Sequence, residues 1–426
     1  MQFILGIPIE LRLAILFVSG ALIGSQINRG IYRLAIIEPR KIGPWSPPTN
    51  GTPPRHWFDL VPILGWFSLS REEKVHGKGF WLRPLLIEFC CGMGLMWLYF
   101  WETEQAGLCD VLPNDLLVTH VQFLAHVILI SLLIMATFID FDEQTIPDSI
   151  TVPGTLIGLL FAASVPFSRL PVLTGQGPES ILITSPHAWP PWLNEAWGVC
   201  FGVACILGWC LALLPWFWYA RRGLKKAIQY LIAYILNPPR KTNAPDFVPP
   251  RRPDFFVLTV VVMLVVGPLY VALVWWVGGD AWTSLLTSLV GMAFSGGLIW
   301  AVRIIGKAAL GREAMGFGDV TLMAMVGAFF GWQAALMIFF LAPLASVVIA
   351  LGQFLFTGRT ELAFGPYLSL GSVILLVNWK RMWPWMEPIF AAGWLIPTMV
   401  VACLVLMFVL LLAIRWLKTK VLGIEE

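Results

Sequence analysis

Apolar stretches long enough to cross a bilayer recur along nearly the whole chain. We place membrane spans near 8–27, 84–101, 118–139, 149–167, 196–220, 255–278, 282–302, 318–331, 333–356, 366–379 and 389–414. A helix needs about 20 apolar residues to cross the roughly 30 Å hydrocarbon core. Only 12% of the residues are charged, whereas soluble proteins carry about a quarter. The pattern predicts an all-α polytopic membrane protein with about 11 transmembrane helices.

The distribution of basic residues predicts the orientation of these helices. Segment 28–83 holds nine Lys and Arg residues against four acids, and segment 221–254 holds eight against two. Segment 102–117 has four acids and neither Lys nor Arg. Because basic loops stay in the cytoplasm, we expect the N-terminus outside and both basic segments inside. Lys380 and Arg381 disagree with this assignment, since they fall on the predicted outer side.

Two acidic motifs lie at the ends of predicted membrane helices. The third span closes with a motif that contains Asp140, Asp142, Glu143, Pro147 and Asp148. The eighth span opens with Gly316-Phe317-Gly318-Asp319. Carboxylates at such positions are costly and by default suggest a functional site. Because four spans separate Asp140 from Asp319, we expect both on one face of the membrane, which the charge bias makes cytoplasmic.

Two carboxylates that share a site favour acid–base chemistry on water. They cannot both ionise cheaply, so one keeps a proton while the other accepts a proton from water. That water would attack a peptide carbonyl, and the protonated partner would hydrogen-bond the carbonyl oxygen. Gly316 and Gly318 would let a substrate strand approach Asp319 closely, and Pro147 would end the helix that carries Asp140.

Other interpretations of the same residues stay open at this point. Asp142, Glu143 and Asp148 also fit a solvated helix end, and the two glycines also fit an ordinary turn. A transporter could use Asp140 and Asp319 as a proton or cation site, although we find no paired halves with broken helices.

Six sequence motifs, in order along the chain, resemble the type IV prepilin peptidase family of GxGD membrane aspartic proteases. They are Gly24 to Asn28, Asp59 to Trp66, Arg83 to Glu88, Ile139 to Asp148, Gly311 to Asp319 and Phe364 to Tyr367. The resemblance implies that Asp140 and Asp319 are catalytic, with Arg312 and Glu313 part of the second motif. It also implies removal of the basic leader from prepilins or pseudopilins of a type IV pilus or type II secretion-like system. The site would face the cytoplasm at the bacterial inner membrane, and proteolysis would need no cofactor.

The chain departs from that family in its metal ligands and in its length. Segment 28–83 has no cysteine, whereas many members carry two CxxC pairs there, so we expect no zinc. The same lobe is associated in the family with methylation from S-adenosylmethionine, which the missing cysteines leave open. The two aspartates are 179 residues apart, far more than is usual in the family.

We therefore divide the chain into six parts. They are a first transmembrane helix (1–27), a cytoplasmic lobe (28–83), helices with the first aspartate motif (84–167), an inserted segment with two extra spans and a Pro/Arg-rich linker (168–281), helices with the GxGD motif (282–379), and an extra C-terminal span and tail (380–426).

The expected partners are a prepilin or pseudopilin precursor and the lipid bilayer, with no nucleic acid and with the oligomeric state open. The alternatives are a bifunctional peptidase and methyltransferase, a GxGD protease that cuts other membrane proteins, the transporter, and an inactive scaffold for pilus assembly.

Overall fold

The computed structural model describes residues 7–36, 42–48, 52–111, 116–175, 177–214, 254–311, 313, 315–357 and 364–420. The predicted linker 237–253 and Arg312 lie outside these ranges. Every structural statement below concerns the described residues.

Eleven long helices build the apolar body of the described chain. They are α1 (Ile9–Leu34), α4 (Leu82–Tyr99, continued by a π turn over Phe100–Glu104), α5 (Leu116–Glu143), α6 (Asp148–Ser164), α7 (Ala196–Leu213), α8 (Asp254–Val277), α9 (Gly279–Leu310), α10 (Phe317–Phe330), α11 (Trp332–Thr357), α12 (Gly365–Phe390) and α13 (Leu395–Lys420). Two short helices, α2 (Leu64–Leu69) and α3 (Glu73–His76), lie in the predicted lobe. A hairpin pairs β1 (Pro171–Thr174) with antiparallel β2 (Gly177–Ser180) between α6 and α7.

Seven of these helices are long and apolar enough to cross a membrane, and the apolar parts of α6, α10 and α11 are shorter. The all-α membrane class is thereby confirmed, while the count of 11 spans stays a prediction. One boundary differs clearly, because α12 runs to Phe390 rather than ending near residue 379. Lys380 lies inside α12, and its Nζ is 2.9 Å from the Asp110 carboxylate of the loop after α4. This partner accounts for a basic residue on the predicted outer side.

Helix α10 is the centre of the packed body. Every residue from Asp319 to Phe330 is buried, and the helix is surrounded by α5, α6, α9, α11 and α12. Glycines bring α9 and α10 together, since a Cβ built on Gly291 would lie 2.2 Å from the carbonyl oxygen of Gly327. Small residues at such crossings are how membrane helices reach close contact.

Trp57 in the lobe and Trp416 near the end of α13 are exposed. Five other exposed tryptophans lie near helix ends away from the aspartates, at the start of α7, the end of α8, the end of α12 and the start of α13, namely Trp192, Trp197, Trp276, Trp385 and Trp394. Indole rings concentrate at membrane–water interfaces. This row therefore indicates the level of one membrane surface.

The predicted lobe is tied to the membrane helices by one buried carboxylate. Glu88 of α4 accepts hydrogen bonds from Asn28 Nδ2 of α1 at 3.2 Å, from the Ile63 N–H at 2.5 Å and from Trp66 Nε1 at 2.8 Å. Ile63 has a φ of 65°, which is unfavourable for a β-branched residue. Glu88 thus joins α1, α4 and the loop before α2, which are the first three motifs of the sequence.

Candidate active site

Asp140 and Asp319 converge at the first residue of α12. A Cβ built on Gly365 would lie 2.6 Å from Asp140 Oδ2 and 3.3 Å from Asp319 Oδ1. The two carboxylate oxygens are therefore within about 6 Å of each other, a range in which like charges oppose each other's ionisation. Asp140 is 5% exposed and Asp319 is 7% exposed. The pairing that the sequence predicted for these residues is present in the fold.

Each carboxylate lies at the amino end of a helix. The Gly365 N–H group, at the start of α12, lies beside the Asp140 carboxylate. Asp319 is the third residue of α10, and its carboxylate lies close to the backbone of Gly316, the N-cap residue of this helix. Helix N-termini carry a partial positive charge and unpaired N–H groups. These groups offset part of the cost of burying two acids.

A tight turn after Asp140 brings the two motifs together. The helix α5 ends as the Gln144 N–H donates to the Asp140 carbonyl oxygen at 2.9 Å, and Gln144 adopts a φ of 53°. Pro147 then caps α6, whose first residue is Asp148. The buried Ile146 of this turn lies against α10 and α12.

The two glycines of the GxGD motif have different surroundings. A Cβ on Gly318 would lie 2.8 Å from the Ile146 Cβ and 3.1 Å from its backbone nitrogen and oxygen. A Cβ on Gly316 would meet nothing closer than Asp319 Oδ2 at 3.7 Å, which is ordinary contact. Only Gly318 is required by the packing of the described residues.

Two of the other predicted site residues contact Arg83 and Ile36, away from the aspartate pair, and a third lies in the first turn of a helix. Asp142 forms an ion pair with Arg83 at 2.8 Å, and Glu143 accepts from the Ile36 N–H at 2.7 Å. Asp148 occupies the first turn of α6, where a carboxylate interacts favourably with the positive end of the helix dipole. The fold therefore assigns them local roles, and an additional role toward a substrate stays a prediction.

Arg303 of α9 is a site residue that the sequence interpretation missed. Its Nε donates to the Met315 carbonyl oxygen at 3.1 Å, and its guanidinium lies 5.7 Å from the centroid of the Phe317 ring. Glu313 contacts both Arg303 and Lys307, and hydrogen bonding from Lys307 holds the pKa of Glu313 below its usual value. A charge near the end of an apolar helix was the signal that could have indicated Arg303.

Gly365 was also missed as a site residue, although the motif that contains it was noted. The sequence carried its signal in Phe364-Gly365-Pro366, a proline in the first turn of a helix preceded by a residue without a side chain. Its place between the carboxylates follows only from the packing of α12 against α5 and α10.

The donor atoms of the described residues do not form a metal cluster. In those ranges no group of three or more His, Cys, Asp or Glu side chains is close enough together to hold an ion. The expectations about zinc and S-adenosylmethionine stay predictions. What the arrangement offers chemically is two buried carboxylates within reach of one water molecule or one carbonyl group.

The fold and the site together define a polytopic membrane protein with a buried pair of carboxylates at one end of its helices. Residues 127–220 and 253–351, somewhat less than half of the chain, match the sequence model of the type IV leader peptidase family. The match includes α7 and α8, which lie in the segment interpreted as an insertion, so the insertion stays a prediction.

Curated relatives of the chain are prepilin leader peptidase/N-methyltransferases. The relative from Klebsiella pneumoniae is 30% identical over 160 residues, which cover 36% of this chain and 64% of the relative. The Escherichia coli (strain K12) relative is 39% identical over 82 residues, or 19% of this chain and 36% of the relative. The Myxococcus xanthus relative is 30% identical over 151 residues, or 34% and 39%. The chain thus matches less than two thirds of each relative's length, and no solved structure matches it.

Proposed function

We propose that this protein is an aspartic endopeptidase that removes the basic leader peptide from type IV prepilin-like or pseudopilin precursors. The cleavage would take place at the cytoplasmic face of the bacterial inner membrane. The observation that carries the proposal is the convergence of Asp140 and Asp319 on Gly365. The match of residues 127–220 and 253–351 to the type IV leader peptidase family supports it.

The chemistry follows from the closeness of two buried acids. One carboxyl group keeps its proton because a second negative charge beside the first is unfavourable. The ionised carboxylate takes a proton from water as that water attacks the scissile carbonyl, and the protonated acid donates a hydrogen bond to the carbonyl oxygen. The proton that the ionised carboxylate has taken from water then passes to the nitrogen of the leaving amine as the C–N bond breaks.

The position of the pair at helix ends suits a substrate that is partly in the membrane. An apolar helix of the precursor would lie in the bilayer, while its charged leader would extend into water beside the turn 144–147. Asp142 and Glu143 would attract a basic leader, although each already contacts the protein's own Arg83 or Ile36. Charge reversal at both positions that leaves processing of a basic leader unchanged would exclude this role.

Co-expression with a candidate prepilin tests the proposal directly. We expect wild type to remove the leader, seen as a gel shift, and Asp140→Asn and Asp319→Asn each to lower the rate by on the order of 10²-fold or more. Asp280→Asn is the control, since it neutralises an exposed acid in the first turn of α9, away from the pair and from the turn 144–147. Wild-type processing by either single mutant would show that the pair is not catalytic.

A second activity is a separate question. The relatives named above carry N-methyltransferase in their names, so mass spectrometry of the mature N-terminus is the appropriate measurement. A mass increase of one methyl group would support the bifunctional alternative, and an unmodified amine would exclude it for that substrate.

A further inference from the structure

An elongated cavity of about 470 Å³ separates the N-terminal helices from the helix of Asp140. It lies between α1, α4, α5 and α12, and neither aspartate lines it. Along α4 it extends from Arg83 to Leu98, which is about 22 Å at the helical rise of 1.5 Å per residue. We call this cavity the α4–α5 groove.

The walls of the groove are almost entirely apolar. Representative residues are Ile23, Ile87, Cys91, Ile134, Phe138 and Leu376. Ser131 is a polar exception, and its hydroxyl already donates to the Val127 carbonyl oxygen. Water gains little in such a space, since it needs polar partners. The lining therefore selects a hydrocarbon.

We propose that the α4–α5 groove binds one acyl chain of a membrane phospholipid. The size of the groove decides between this occupant and a substrate helix. A helix about 10 Å across and 22 Å long fills roughly 1,700 Å³, which exceeds the roughly 1,250 Å³ of all free space in the groove, even with its open side included. A single extended hydrocarbon chain has the required length and narrow cross-section.

The groove opens where the protein faces lipid. Leu86 and Trp97, which line it, are 47% and 49% exposed, and Phe89 and Met93 on the same helix are exposed as well. A chain can therefore enter sideways from the bilayer. α4 and α5 make few direct contacts, so a bound chain would supply packing between them.

A basic residue stands at one end of the groove. The Arg83 side chain is 38% exposed, and it is held by Asp142 at 2.8 Å and by the Phe138 carbonyl oxygen at 3.3 Å. Its position near the last turn of α5 corresponds to the headgroup level of the bilayer. A phosphate can approach the exposed part of the guanidinium, with the acyl chain directed along α4.

A pair of glycines provides a matched test. Gly94 lines the groove, and a Cβ there would have nothing within 4 Å. Gly208 of α7 is likewise exposed with nothing within 4 Å, but it lines a separate cavity of about 350 Å³ between α7, α9 and α10. Gly94→Phe should therefore fill the groove without a clash, and Gly208→Phe should add the same ring elsewhere.

The first measurement is native mass spectrometry of the full chain released from detergent. We expect wild type and Gly208→Phe to retain one phospholipid more than Gly94→Phe. We also expect phosphatidylglycerol, added after delipidation, to raise the Tm of wild type and Gly208→Phe but not that of Gly94→Phe. An unchanged lipid count and an unchanged Tm response in Gly94→Phe would overturn the proposal.

A second measurement needs no variant. A phosphatidylglycerol with a photoreactive acyl chain should label wild type within peptides that contain 83–98 or 127–138, and labelling confined to other helices would contradict the proposal. If Gly94→Phe keeps its lipid but loses leader removal, the groove instead receives the substrate. The inference does not depend on the proposed function, because lipid retention is measured without any cleavage.

Discussion

Gly318 lies against the backbone of Ile146, with its missing Cβ 2.8 Å from the Ile146 Cβ. This contact joins the GxGD motif to the turn that follows Asp140. The two acidic motifs are far apart in the chain. They can meet because Gly318 of one motif has no side chain and leaves room for Ile146 of the other.

We expect Gly318→Ala to reduce leader removal at least tenfold, because its Cβ would push Ile146 away and move Asp140 relative to Asp319. Gly365→Ala should be similarly damaging, since its Cβ would lie 2.6 Å from Asp140 Oδ2. Gly316→Ala is the control and should stay within about threefold of wild type, because its Cβ makes only ordinary contact. Initial rates of processing at equal expression measure all three. Equal loss at Gly316 and Gly318 would show that the approach of the substrate, rather than Ile146, requires both glycines.

We expect Glu88→Ala to loosen the lobe, because at least three donors lose a buried acceptor. Each unpaired buried donor costs about 1–3 kcal/mol. Glu73→Ala is a matched control, since Glu73 also accepts from an indole, Trp81 Nε1 at 2.7 Å, and from a backbone N–H, that of Gly79 at 3.1 Å, but near the surface. Limited proteolysis within 52–81 should accelerate strongly for Glu88→Ala and little for Glu73→Ala. Equal rates for both variants would mean that Glu88 does not anchor the lobe.

The stability of the lobe should decrease at acidic pH, because Asp59 then becomes protonated. Burial opposes ionisation of Asp59, but hydrogen bonds from Arg71, His56 and Ser68 outweigh it and hold its pKa well below the usual range. A carboxyl group with a lowered folded-state pKa contributes full stability above its unfolded pKa of about 3.9, and this contribution is lost as the pH falls further. The Tm difference between wild type and Asp59→Asn should therefore be constant near neutral pH and shrink below about pH 4. A difference that is unchanged in acid would contradict this assignment.

We expect Arg303→Ala to lower the rate of leader removal about tenfold, because Arg303 fixes the Met315 carbonyl and packs over Phe317, just before Asp319. Lys307→Ala removes the same charge from the same helix. Lys307 is 61% exposed and its ammonium pairs with the exposed Glu313, a kind of pair that contributes little. Kinetics of both variants against one prepilin measure the contrast, and equally impaired variants would indicate a general effect of charge on this face.

The membrane class and the pairing of the aspartates were predictable from the sequence. Apolar length alone indicates helices in lipid, and an even number of spans between Asp140 and Asp319 puts both on one face. The prediction of acid–base chemistry needed only this even number of spans and the fact that both residues are aspartates. Helix ends were less predictable, as α12 shows, because Lys380 is accommodated by Asp110, a residue remote in the sequence.

The positions of Gly365 and Arg303 could not be derived from local pattern. Gly365 reaches the carboxylates through the packing of α12, and Arg303 reaches the loop before Asp319 through the crossing of α9 and α10. Both depend on helix pairs whose contacts involve small residues, and many small residues occur in every apolar stretch. The sequence motifs indicated the two aspartates but not Gly365 and Arg303, which lie next to them or to the loop before Asp319.

Gly365 is synthesised after both helices that carry the aspartates, and this order affects when the site is completed. Ribosomes add residues from the N-terminus at about 5–20 per second, so α5 and α10 emerge well before the segment that begins at Gly365. A partly synthesised chain would contain both aspartates but would lack the Gly365 N–H group that lies beside Asp140. The newly made protein would thus gain a finished catalytic centre only when its penultimate helix enters the bilayer, after almost all the other helices are in place.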